Sequence, residues 1–206
     1  MQNTFEFDTS NIQRIRVLDT DLFVVDNFYK NPDGVLDLIE AQPAKKWKDW
    51  DKPSYNGEYF LDHRHDFVNE QSKIYNTFFE SITGQKIAQP GRIVTNCMEF
   101  YDKKFNNYQE HYWGPHNDLG YTGLVYLNKI ESEGTNFYTR IAEDLWDTPE
   151  HFEPWRLKKR YKLEYHVPAK YNRLVLFDGE TLCHGMAVNS NTFFNKKRIN
   201  QAVFLS

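Results

Sequence analysis

His116 and Asp118 stand two residues apart in Trp113-Gly-Pro-His116-Asn-Asp118, and His184 follows far downstream in Cys183-His184-Gly185. Two imidazoles and one carboxylate are the donor set of a facial triad, which occupies one face of an octahedral iron and leaves the remaining positions open for oxygen chemistry. The single spacer suits that geometry. Residues i and i+2 of an extended chain project to the same side, so both side chains can reach one ion. Neutral imidazole is a good iron ligand, and the carboxylate compensates the charge of a dication. Taken one at a time, these residues have plainer accounts, such as a buried histidine bonded to a carbonyl.

Arg198 changes that balance. It heads the otherwise apolar stretch Arg198-Ile-Asn-Gln-Ala-Val-Phe-Leu205, and strand alternation puts Arg198, Asn200, Ala202 and Phe204 on one face. An arginine inside a barrel requires an anion, because a buried unpaired charge is costly. A dicarboxylate co-substrate would supply one, gripped by the guanidinium fork. Lys196-Lys197-Arg198 also reads as a solvated basic turn, and parity alone allows either Lys197 or Arg198 to face inward; Arg198 is preferred.

The elements that must position these residues are mostly strands. Leu22-Phe-Val-Val25 is a short buried run within a β stretch from Ile15 to Phe28. Asn31-Pro32-Asp33 opens a helix, with Asn as N-cap and Pro at the first helical position, and the helix ends near Gln42-Pro43. Lys45 to Tyr59 is irregular and aromatic, holding Trp47, Trp50 and Tyr59. His63-Arg-His65 has metal-ligand spacing but no partner cluster nearby. Asn69 to Thr83 is a second helix stopped by Gly84. From Gly91 the pattern is β: Arg92 to Tyr101, Tyr121 to Asn128, Gly134 to Tyr138, Tyr161 to Val167, Arg173 to Phe177 and Arg198 to Leu205. Arg140 to Arg160 interrupts it with Trp, Pro and charge, and reads as an insertion with some helix. Two helices followed by seven or eight strands predict a mainly β, double-sheet architecture with the helices on one sheet.

A chain of 206 residues is expected to form one domain, with 1–90 as support and 91–206 as the core. A formal charge of −4 argues against general binding to phosphate backbones. The two cysteines, Cys97 and Cys183, are expected as buried free thiols of a reducing compartment. The polar start of the sequence is unlike a secretory signal, and no apolar run reaches the roughly 18 residues that a membrane span needs. A soluble, cytoplasmic protein is the expectation.

The order of motifs resembles the 2-oxoglutarate- and Fe(II)-dependent dioxygenases, and within them the prolyl 4-hydroxylase-like branch. The matching residues are Pro-His116-Asn-Asp118, Leu-Val-Tyr-Leu-Asn128, Glu-Gly-Thr135-Asn-Phe137, Asn-Arg-Leu-Val-Leu-Phe-Asp178 before Cys-His184, and Arg198-Ile-Asn-Gln-Ala-Val-Phe. They run from Gly91 to Ser206, and their succession is far more specific than any one piece.

The resemblance implies a double-stranded β-helix (a jelly roll, as in cupins) whose mouth holds Fe(II) through His116, Asp118 and His184. It implies that 2-oxoglutarate binds the iron by its 2-oxo acid end while Arg198 holds the distal carboxylate, assisted by Thr135 and Tyr101. Oxygen is then the second co-substrate and ascorbate an accessory reductant. The implied reaction is hydroxylation of a C–H bond in a small molecule or peptide, with a peptidyl or free proline first and a nucleobase or a small amine acid second. Trp113, Tyr112, Tyr59 and the Trp47–Trp50 loop are candidates for the substrate side. Departures from the pattern lie in the framing loops: relatives commonly carry Tyr where this chain has Trp113, and many carry Lys rather than Arg at the anchor. Outside the resemblance stand two other readings, a different metal enzyme on a cupin-like barrel and a non-catalytic β-sandwich binding module.

Overall fold

The computed structural model describes residues 5–41, 45–46, 60–67, 70–87, 92–100, 108–130, 132–142, 155–190, 192–193 and 196–205, with backbone alone for 45–46, 60–67, 70–74, 92–100 and 132. The chain opens on β1 (Ile12–Val17) and β2 (Thr20–Val25), then α1 (Pro32–Ala41), β3 (Lys45–Lys46), β4 (Phe60–Phe67) and α2 (Glu70–Thr83). Strands follow: β5 (Arg92–Phe100), β6 (His111–Trp113), β7 (Tyr121–Tyr126), β8 (Ser132–Arg140), β9 (Trp155–Leu157), β10 (Tyr161–Ala169), β11 (Arg173–Asp178), β12 (Cys183–Met186) and β13 (Lys197–Leu205). Asn31 caps α1 as its sequence suggests, its Oδ1 accepting the Gly34 N–H at 3.0 Å.

Eight strands form one sheet in the order β1-β2-β11-β7-β13-β5-β4-β3, and β10-β8-β12 form a second. Every pairing in both is antiparallel. Strand alternation divides the large sheet into two faces. Phe23, Val25, Val125, Leu127, Leu174, Leu176, Val203 and Leu205 pack with Val35 and Ile39 of α1 and with Tyr75, Phe78 and Phe79 of α2. Leu22, Val24, Tyr126, Val175 and Phe177 point the other way, into a core shared with Phe137 and Val167 of the small sheet. Each such side chain taken fully from water contributes about 1.5–3 kcal/mol. The helices therefore cover one face of the large sheet, and the small sheet closes the other. This is the expected jelly roll with N-terminal helices on one sheet.

Four local expectations are corrected. The β stretch at Ile15 is a hairpin whose turn places Leu18 at φ 53°, a conformation unusual for leucine and without the Gly or Asn that signals such turns. Lys45-Lys46, expected in the irregular stretch from Lys45 to Tyr59, form β3, which pairs with β4. The described part of the expected insertion contains β9, paired with β6 through Trp113↔Trp155, and a 3-10 turn at Lys158–Arg160. Nine described strands follow α2 rather than seven or eight, because β6 and β9 have only three residues each, too few to show alternation. Among the described residues no helix is long and apolar enough to cross a membrane.

Candidate metal centre

The two ligand-bearing segments meet through their main chains. His116 N–H donates to the His184 carbonyl and His184 N–H to the His116 carbonyl, both at 2.8 Å. This bridge adds the His116 segment to the free side of β12, whose other side pairs with β8. The next turn is stitched down in the same way. Asp118 N–H donates to the Gly179 carbonyl at 3.1 Å, and Asn117 Nδ2 to the carbonyls of Gly179 and Glu180 at 3.1 and 2.9 Å. Asp178 shapes the receiving loop by accepting the Glu180 N–H at 3.0 Å and the Thr181 hydroxyl at 2.8 Å. Gly179 has no room for a side chain: a Cβ would lie 2.8 Å from Thr122 Oγ1 and 2.9 Å from the Asp118 Cβ.

One donor atom each from His116, Asp118 and His184 lies within 4.8 Å of the others. His184 is 3% exposed, while the His116 and Asp118 side chains are half-buried, so the cluster opens to one side. His116 Nδ1 bonds the Gly114 carbonyl at 2.6 Å and His184 Nδ1 the Leu182 carbonyl at 3.0 Å. Carbonyls only accept, so Nδ1 carries the proton in each ring, and in the neutral rings each Nε2 presents a lone pair. Those Nε2 atoms face Asp118, at 3.7 Å from Oδ1 for His116 and 3.2 Å from Oδ2 for His184.

Burial would raise the Asp118 pKa. With His184 protonated, its hydrogen bond and charge, the His116 charge and the Thr122 hydroxyl outweigh it and bring the carboxyl down to about 2. For His184, burial comes first and pushes the pKa down, His116 adds to it, and Asp118 opposes. A neutral His184 beside an ionised Asp118 sets lone pair against carboxylate oxygen, an arrangement that a cation between them would relieve. The donor set therefore fits a divalent metal, with each imidazole oriented by a carbonyl and the carboxylate held by Thr122 Oγ1 at 2.9 Å. Phe177 packs edge-on against His184 at 4.5 Å between centroids, and Phe137 against Phe177 at 4.9 Å, closing the apolar side.

Arg198 is 7% exposed and Lys197 is exposed, which settles the parity of β13. Its Nη1 donates to Asn200 Oδ1 at 2.8 Å, and among the described residues no carboxylate pairs with it. Burial pushes its pKa below the ordinary value, opposed by Tyr126 and Glu133, and a guanidinium stays charged regardless. Thr135, 1% exposed, shares a 2.6 Å hydrogen bond with the buried Tyr126 hydroxyl. Tyr126 pairs with Asn200 across β7 and β13, and it belongs to the same core as Phe137 and Phe177. A fixed cation, two hydroxyls and a carboxamide thus converge on the core that backs the metal cluster.

Trp113 is buried and packs edge-to-face on Trp155 at 4.9 Å, and the Tyr112 ring packs at a tilt on Tyr138 at 4.6 Å between centroids. Tyr101, Tyr59, Trp47 and Trp50 lie outside the described residues. Thr122, which no motif marks, faces inward on β7 with Leu124 and Tyr126. A lone hydroxyl at an inward strand position was the available signal.

No protein-family model matches this sequence, and no curated protein matches it. Solved structures do resemble it. An oxidoreductase of the 2OG-Fe(II) oxygenase family from Burkholderia pseudomallei aligns with a TM-score of 0.51 at 11% identity, over 90% of this chain and 84% of that one. A putative oxygenase from Shewanella oneidensis aligns with a TM-score of 0.50 at 11% identity, over 90% and 82%. The chain therefore shares its jelly-roll fold with a protein of the 2OG-Fe(II) oxygenase family.

Proposed function

We propose that this protein is a non-haem Fe(II)- and 2-oxoglutarate-dependent oxygenase that hydroxylates a C–H bond. One observation carries the reading: the His116–Asp118–His184 cluster is backed by the same core into which a buried Arg198, with no carboxylate partner among the described residues, is directed. A structural metal site would not require the cation, and a structural cation would not require the metal.

His116, Asp118 and His184 would hold the iron, which supplies oxygen activation coupled to decarboxylation of the 2-oxo acid. Arg198 would bind the distal carboxylate, with Asn200 orienting its guanidinium. Tyr126 and Thr135 would offer hydroxyl hydrogen bonds to the same anion. Phe137 and Phe177 keep water from the His184 side. Tyr101 is a further candidate for the co-substrate on resemblance, and Trp113 and Tyr59 are candidates for the substrate side as aromatic side chains. A peptidyl or free proline is the first substrate to try, and ascorbate the reductant to supply.

Anaerobic titration of Fe(II) into the protein with 2-oxoglutarate tests the reading through the weak visible charge-transfer band of such complexes. Wild type is expected to develop the band at one equivalent. His184→Ala should lose it at any co-substrate concentration, and Arg198→Ala should recover it only at high 2-oxoglutarate. A wild type that takes up no metal overturns the proposal.

A further inference from the structure

We infer that Asn128 is the positioning residue of the Arg198 guanidinium, an inference that rests on the reading of Arg198 as the co-substrate anchor. β7 and β13 pair from Leu205↔Tyr121 to Asn200↔Tyr126, and Leu127 N–H adds one more bond to the Ile199 carbonyl at 3.0 Å. There β7 ends, and the chain turns away at Lys129-Ile130. Arg198 lies on β13 just past the last main-chain partner on that side.

The Asn128 side chain continues the ladder where the backbone stops. Its Nδ2 donates to the Lys197 carbonyl at 2.9 Å, and its Oδ1 accepts the Ile199 N–H at 2.7 Å. A carboxamide carries the same donor and acceptor as a peptide unit, so it can stand in for the next residue of a strand. The two bonds hold the peptide groups on either side of the Arg198 Cα. They fix the direction in which its side chain leaves the backbone.

The other end of that side chain is held separately, by the bond from Nη1 to Asn200 Oδ1. An arginine has several freely rotating bonds, and immobilising such a side chain on binding costs conformational entropy unless it is ordered beforehand. Clamped at its root by Asn128 and at its head by Asn200, Arg198 is ordered before any anion arrives. Asn128 touches no ligand in this scheme. It acts only through Arg198, so its loss should weaken binding of the distal carboxylate alone.

The experiment is calorimetric titration of Mn(II)-loaded protein with 2-oxoglutarate and with 2-oxobutyrate, which lacks the distal carboxylate. Wild type, Asn128→Ala, Arg198→Ala and the double variant are compared. Wild type should prefer 2-oxoglutarate, and Asn128→Ala should cut that preference about tenfold while 2-oxobutyrate and Mn(II) bind as before. In the Arg198→Ala background the same substitution should change nothing more. Equal losses for both acids, an unchanged preference, or an undiminished effect without Arg198 would each overturn the positioning role while leaving the anchor standing. A wild type with no preference removes the anchor and the positioning role together. If Asn128→Ala does not fold, Asn128→Ser keeps a neutral polar side chain that is too short to hold both Lys197 and Ile199. It carries the same prediction at about threefold.

Discussion

Gly185 lies directly against Trp113: a Cβ on Gly185 would fall 2.5 Å from the Trp113 carbonyl oxygen and 3.1 Å from that of Gly114. The missing side chain lets β12 approach the segment that runs into His116. That approach closes the paired main-chain bonds between His116 and His184.

Gly185→Ala should therefore force the two ligand-bearing segments apart. Overpacking of this kind costs about 1–3 kcal/mol, and the movement falls on the spacing of the donor atoms. The expected outcome is a lower urea midpoint together with Co(II) affinity reduced by at least about tenfold. A variant with wild-type Co(II) affinity would show that the close approach is unrelated to the metal site.

Thr122→Val separates orientation of the carboxylate from stability of the fold. Valine keeps the shape of the side chain and removes the hydroxyl that holds Asp118 Oδ2 at 2.9 Å. Partners of this type contribute about 10–100-fold to metal affinity. Co(II) titration should show a loss in that range with little change in the urea midpoint.

Asp26 gives the acid limb of stability. It accepts from Arg173 Nε at 2.6 Å and from Arg173 Nη2 and Lys170 Nζ at 3.0 Å each. The Arg173 hydrogen bonds lower its carboxyl from 3.8 to about 2, against burial and with help from Lys170. A folded-state pKa below the unfolded one means that the contribution is complete above the unfolded value and is lost as pH falls through the folded value. Asp26→Asn should cost about 1–2 kcal/mol at neutral pH. The gap between the urea midpoints of the two proteins should narrow below about pH 4 and vanish below about pH 2. A gap independent of pH would mean that Asp26 contributes packing rather than charge.

The parts of the site that could be read from sequence are those with local geometry. His116 and Asp118 are neighbours on one side of an extended segment, and alternation narrows the inward cation to Lys197 or Arg198, a choice that burial decides for Arg198. His184 needed the order of the motifs, since only the fold brings β12 beside His116. What escaped depended on tertiary partners. β9 is three residues whose strand character comes from pairing with β6, and Trp155 is as consistent with a loop as with a strand until Trp113 is set against it. The hairpin turn at Leu18 carries no glycine or asparagine to announce it, and Thr122 looks like any strand threonine until Asp118 is placed above it. The helices were legible throughout, because the cap at Asn31 and the stop at Gly84 are chemical signals within a few residues of the ends they mark.

The position of β13 has a bearing on how the chain reaches this structure at the ribosome. In the large sheet it is the strand between β7 and β5, so the block β5-β4-β3 joins the block β1-β2-β11-β7 through it. Yet β13 follows every other described strand in the chain. While the chain is being made, β5 can pair with β4 on one side and offers an open edge on the other. β13 emerges roughly 100 residues later, on the order of 5–20 s at ordinary rates of synthesis. An unpaired edge held open for that interval is a template for association with other chains. The strand that carries Arg198 thus closes the open edge of β5 in the same step that joins the two blocks of the large sheet.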